Sequence, residues 1–208
     1  MEADTSRTEE IVNRVDKKSE PFLVVGLGNP GRQYKNTRHN AGFLVVDRLS
    51  ERLGVQFSRL QFRALVVDGR YQDRKIILAK PQTYMNESGQ AVGSLVRFYK
   101  ITQDNIVVVH DDVDLPFGAL RLRPAGGSGG QKGMGSIIER LGTQEFPRLR
   151  VGIGRPPGQM LAAAYVLQEF DRDEKQELPG VIDRAVDALL SVVTNGLEKA
   201  MNQYNAKL

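Results

Sequence analysis

Three polar residue types stand where apolar runs give way to loops, and together they could activate water against a carbonyl. The chain has two histidines among 208 residues. One of them, His39, comes shortly after the run FLVV (22–25) and the turn GLGNPG. Asn29 lies in that turn, Asn86 follows the run that ends at Pro81, and Asp111–Asp112 closes NIVVVHDD (105–112). A single histidine is most often a surface or capping residue; the company of two asparagines and an aspartate pair changes the reading. A neutral imidazole can take a proton from water near pH 7. It does so best when a carboxylate fixes its tautomer and stabilises the cation, a part open to Asp111 or Asp112. Asparagine amides can donate to a carbonyl oxygen that becomes an oxyanion. There is no cysteine, and no serine is read as the nucleophile of a strand–turn–helix elbow, so attack by water is the simpler chemistry. His110 is read as part of a strand end. The acids and histidines show no metal-ligand spacing, so no metal is expected.

Such residues need a sheet that gathers strand ends. FLVV is continuously apolar, as in a strand buried on both faces. AGFLVVDRLSERLG (41–54) has helical apolar spacing and ends on Gly54. Residues 63–81 read as two strands around a polar turn, 88–100 as a helix, 105–112 as a buried strand, and ALRLRP (119–124) as a half-exposed strand. AGGSGGQKGMG (125–135) reads as a glycine loop, SIIERLG (136–142) as a short helix capped by Ser136, and LRVGIG (149–154) as a strand. Helices over 162–170 and 181–204 close the chain. The alternation predicts a single α/β domain over 21–208, with a central mixed, largely parallel twisted sheet flanked by helices on both faces.

Composition narrows the partners. At 40% apolar and 26% charged the chain can bury a core. No run approaches the roughly 20 apolar residues that cross a bilayer. Residues 1–20 are polar and mixed in charge, and are expected to form a flexible extension with no secretory or organelle signal, which suggests the cytoplasm. The net charge of +4 is a mild hint of a polyanionic partner. Arg121, Arg123, Lys132, Arg140, Arg148, Arg150 and Arg155 crowd one third of the chain.

Gly26-Leu-Gly28-Asn-Pro-Gly31 imitates a dinucleotide-binding loop, with Asp47 about 20 residues on. Pro30 removes a backbone N–H such loops need for a pyrophosphate, and the polar stretch Arg32–Arg38 does not read as the expected helix. A tight turn presenting Asn29 is the better reading.

VVGLGNPGRQYKNTRHNAGF, KPQTYMNESGQAV, VVHDDVDLPFGALRLRPAGGSGG and EFPRLRVGIGRP together resemble the bacterial-type peptidyl-tRNA hydrolases, in order and at suitable spacing over roughly 22–204. The resemblance implies a monomeric, metal-free and cofactor-free α/β enzyme. It would cleave the ester between a peptide and the 3′ ribose of tRNA, recycling tRNA after ribosome drop-off. It implies that His39 is the general base, that Asp111 orients it, and that Asn29 and Asn86 share its crevice and touch the substrate. Tyr34 and Met85 would line that crevice, and Arg123 and Arg150 would meet the tRNA backbone. Many members carry Gly-Gly-His-Asn-Gly where this chain has Gly129-Gly130-Gln131-Lys132-Gly133. Gln131 and Lys132 would then meet the substrate, with Lys132 able to stabilise an oxyanion but not to accept a hydrogen bond. The same change would suit a non-catalytic RNA-binding relative, such as an organellar group II intron splicing factor.

Overall fold

A computed structural model describes residues 20–205. Seven strands form one sheet: β1 (Phe22–Gly26), β2 (Arg59–Gln61), β3 (Ala64–Tyr71), β4 (Arg74–Pro81), β5 (Ile106–Asp112), β6 (Leu120–Arg123) and β7 (Arg148–Gly152). Their order is β2-β3-β4-β1-β5-β7-β6. The central four, β4, β1, β5 and β7, are parallel, and β2, β3 and β6 join antiparallel at the margins. The expected mixed, largely parallel sheet is therefore present. All four central strands end on the same side, which is where open α/β sheets place their sites.

The continuous apolar runs follow from helices on both faces. Val24, Leu78, Val107 and Val109 pack with α1 (Ala41–Arg52) and α5 (Arg172–Asn195). Leu23, Val25, Ile77 and Val108 pack with α2 (Ser88–Tyr99) and α3 (Lys132–Leu141). Two short helices complete the set, α4 (Ala162–Tyr165) and α6 (Leu197–Tyr204).

Four local expectations are corrected. The helix expected over 136–142 starts at Lys132, because the Gln131 side chain accepts the Met134 N–H as the cap. Ser136 lies inside it, and its hydroxyl accepts the Gly89 N–H at 2.9 Å, tying α3 to the start of α2. The helix expected over 162–170 stops at Tyr165. Its continuation is spent on the 37–39 segment: Gln168 O accepts the Arg38 N–H at 3.0 Å and Val166 O the His39 N–H at 2.8 Å. The last long helix begins at Arg172 rather than 181, because Asp171 and Glu174 form a reciprocal capping box. It ends at Gly196, which at φ 87° turns the chain before α6. The β2 edge strand was not foreseen. The extension expected over 1–20 lies outside the described residues except for Glu20, whose carboxylate accepts from Thr102 and Asn105.

The start of α1 sits directly on the ends of β1 and β5. A Cβ on Gly42 would lie 2.3 Å from Val109 O and 2.5 Å from Leu27 N. Neither backbone can yield without breaking the Leu27 N–H···O=C Val109 bond, 2.9 Å long, that joins the two strands. Gly42→Ala should therefore destabilise the protein by about 1–3 kcal/mol or more, read as a lower denaturation midpoint. An unchanged midpoint would mean that α1 is free to shift.

Candidate active site

Six segments near the carboxyl ends of the parallel strands line a cavity of about 470 Å³, the sixth being the 162–167 stretch. Asn29 comes from the turn after β1, Met85 and Asn86 from the turn after β4, and Asp111 from the end of β5. His39 enters from the turn before α1, and Gln131 and Lys132 from the start of α3.

His39 and Asp111 are bonded. The His39 Nδ1 is 2.8 Å from the Asp111 Oδ2. A carboxylate oxygen accepts, so Nδ1 carries the hydrogen and Nε2 is left with its lone pair for the cavity the ring lines. Asp111 is buried at 4% exposure. Its other oxygen, Oδ1, is 3.2 Å from the Gln131 Nε2.

Asn29 is equally constrained. Its Oδ1 accepts the Met85 N–H at 3.0 Å, and its backbone exchanges two bonds with the Asn40 side chain. Because a backbone N–H can only donate, the engaged end of the Asn29 amide is oxygen, and the end without a hydrogen bond among the described residues is the NH₂ donor. Two roles left to the pattern alone are thus separated by the structure: Asp111, not Asp112, holds His39, while Asp112 forms an ion pair with Arg150.

The other expected residues divide. Met85 lines the cavity and is buried, whereas Asn86 and Lys132 line it from exposed positions at its rim. Tyr34 is not among the lining residues; it sits in the turn Arg32–Tyr34, where its carbonyl accepts from Thr37. Arg123 is exposed on β6, outside the cavity. Arg150 reaches the cavity only through Asp112, which lines it. In register, Arg121 lies beside Arg150 and Arg123 beside Arg148. Their partners Leu122 and Leu149 are buried with α5 on one face of the sheet, so the four arginines belong to the opposite face. Among the described residues Arg121 and Arg123 make no ion pair.

Two arginines in this region are structural, and sequence reasoning missed what they do. Arg148 is buried, and its guanidinium donates to the carbonyls of Gly126, Gly127, Gln144 and Phe146, holding the glycine loop over the site. Burial pushes its pKa down from the usual arginine value. Arg38 lies over the Tyr165 ring, donates to Glu169 O and pairs with Glu174, so residues 165–174 are fastened to the neighbour of His39. The apolar wall of the cavity, Ala162, Ala163, Val166 and Leu167, was also unforeseen; only their apolar character signalled it. The letters Gly126-Gly127-Ser128-Gly129-Gly130 spell a nucleophile motif, and Ser128 lines the cavity. It bonds to neither histidine among the described residues, and the stretch is a loop rather than a strand-to-helix elbow. No group of three or more His, Asp or Glu side chains among the described residues is placed to hold a metal.

The family model for peptidyl-tRNA hydrolase matches residues 23–208. The chain belongs to the peptidyl-tRNA hydrolase family. It is 48% identical over 189 residues to the peptidyl-tRNA hydrolase of Mycobacterium tuberculosis (strain ATCC 25618 / H37Rv), covering 90% of this chain and 99% of that one. It is 46% identical over 184 residues to that of Thermoanaerobacter sp. (strain X514), covering 88% and 99%. A crystal structure of peptidyl-tRNA hydrolase from Acinetobacter baumannii superposes with a TM-score of 0.84 at 37% identity, covering 90% of this chain and 96% of that one. The family resemblance seen in four sequence segments therefore extends over the whole α/β domain.

His110, the other histidine, is buried and donates its Nδ1–H to Asp111 O at 2.7 Å. Burial pushes its pKa below the ordinary 6.5, against the pull of Asp111. The unfolded chain therefore binds that proton more readily than the folded one, so stability rises with pH up to about 6.5 and is lost as pH falls below it. His110→Gln keeps a donor but cannot titrate. Its Tm should fall less between pH 7 and pH 5 than that of the wild type. Equal losses in the two proteins would remove His110 from the acid sensitivity.

Proposed function

We propose that the chain hydrolyses the ester bond between a peptide and the 3′ ribose of tRNA in peptidyl-tRNA, releasing tRNA stalled by premature ribosome drop-off. The observation that carries this reading is the His39–Asp111 pair on a cavity beside the Asn29 amide, in a chain of this family. His39 Nε2 takes a proton from water as the water oxygen attacks the ester carbonyl carbon. Asp111 holds the ring and stabilises the imidazolium. Asn29 Nδ2–H donates to the oxygen that gains charge, with the Lys132 ammonium at the rim adding a second positive influence. The C–O bond to the ribose then breaks, and His39 returns the proton to the departing 3′ oxygen. Asn86 and Met85 contact the substrate at the rim and floor. The apolar wall around Val166 gives side chains of the peptide a surface to cover.

Arg123, with Arg150 and Arg121 beside it, meets the phosphates of the tRNA. Phosphate contacts carry no base information, which suits an enzyme that accepts many tRNAs. In this reading the protein works as a cytoplasmic monomer and needs no metal. The non-catalytic alternative is not favoured: the Gln131–Lys132 change leaves His39, Asp111 and Asn29 bonded as the chemistry requires.

His39→Ala should lower kcat on peptidyl-tRNA by about 10²–10⁴-fold with the fold intact. Near-normal turnover by that variant would remove His39 from its role. Arg123→Ala should raise KM for a full tRNA substrate, leave a short CCA ester unaffected, and reduce the slope of log KM against log salt by roughly one. Equal treatment of the two substrates by variant and wild type would rule out the basic face as the tRNA contact.

A further inference from the structure

The Gln131 side chain is engaged at both ends. Oε1 accepts the Met134 N–H at 2.8 Å as the cap of α3. That bond identifies the oxygen end, so the other end is the NH₂ group. Nε2 lies 3.2 Å from Asp111 Oδ1 and 3.3 Å from the sulfur of Met85. Asp111 is thus gripped from opposite sides, by an amide on Oδ1 and by the His39 ring on Oδ2. The geometry points to Gln131 as a positioning residue for the His39–Asp111 pair, acting through Asp111 rather than through the substrate.

The physical argument is torsional. The last torsion of an aspartate is broad and roughly two-fold, so a bond to one oxygen leaves the carboxylate plane free to swing. A second bond on the other oxygen fixes the plane, and with it the direction in which Oδ2 holds the imidazole and Nε2 meets the cavity. The start of α3 fixes the amide in turn, since Gln131 N–H donates to Ser128 O and Gln131 O accepts from Gly135. An amide does not titrate, so this grip is the same across the range in which imidazoles change charge. The assignment rests on His39 being the base.

Two variants test it. Gln131→Glu keeps an acceptor for the Met134 N–H, at a helix N-terminus that favours negative charge. Its second oxygen then faces Asp111, and two carboxylates so close cannot both ionise freely. Gln131→Ala removes both bonds. The other charged and titratable groups around the pair are unchanged in both: Lys132 on α3, His110 and Asp112 on β5, Arg150 on β7, and Arg38 with Glu174 on α5 behind the ring. The expected result is a kcat lower by about 10-fold or more in both variants, with KM within about two-fold. The acid limb of kcat/KM against pH should move up by about 1 unit in Gln131→Glu. NMR titration of the His39 ring, one of two histidines in the chain, should show the same displacement with no substrate present. This second reading stands even if hydrolysis of peptidyl-tRNA is never observed, so failure of the functional assignment and failure of this one are told apart. Wild-type kcat and an unmoved His39 titration in Gln131→Glu would reduce Gln131 to a helix cap. A raised KM at unchanged kcat would make it a substrate contact. Either result overturns the proposal.

Discussion

The close approach of α1 to the ends of β1 and β5 is the constraint on which the rest of the site depends. Gly42 presses against Val109 O and Leu27 N, and Gly26 against Gly42 O, at distances that no Cβ tolerates. This lack of side chains lets the turn before α1 lie over the gap between two parallel strands. His39, carried by that turn, therefore reaches Asp111, which β5 ends by presenting on the same face of the sheet. A helix held even one or two ångströms further out by side chains would leave the imidazole short of its carboxylate. The backbone bonds from Arg38 and His39 to Gln168 and Val166 fasten the same turn from its other side.

A second device recurs within the site. Asn29 and Gln131 are both amides whose oxygen is taken by a backbone N–H, of Met85 in one case and Met134 in the other. Each bond decides which way round the amide lies, and each leaves the NH₂ group directed at the chemistry. Neutral donors aimed in this way need no rearrangement when charge develops in a reaction, which is where electrostatic preorganisation is most effective. The main chain, not the reacting groups, bears the cost of holding them.

Charge is divided between the walls. One side of the cavity is apolar, from Ala162 to Leu167, the start of α3 brings Lys132 to its rim, and the arginines of the β6–β7 edge lie outside it. Not every arginine there is available to a partner. Arg148 is engaged by loop carbonyls and Arg150 is paired with Asp112, whereas Arg121 and Arg123 make no ion pair among the described residues. A count of basic residues overstates such a face; the hydrogen-bond partners decide what it can bind.

The sequence by itself determined the periodic elements. FLVV and NIVVVHDD are strands because continuous apolar runs need cover on both faces, and Gly54 stops its helix because local backbone conformation suffices. It also supplied the site's residue types, since Asn29, His39 and Asp111 follow strand-like runs, and the family, through four motif segments. What it could not decide was every question in which two distant groups compete for one hydrogen bond. Ser136 reads as a cap until Gln131 takes that role and Gly89 claims the hydroxyl. Residues 166–170 read as helix until the 37–39 segment claims their carbonyls. Asp111 and Asp112 are equivalent as letters; alternation along β5 sends one to His39 and the other to Arg150. Helix propensity and strand alternation are local, whereas the assignment of a shared donor or acceptor is settled only when tertiary packing brings the competitors within about 3 Å.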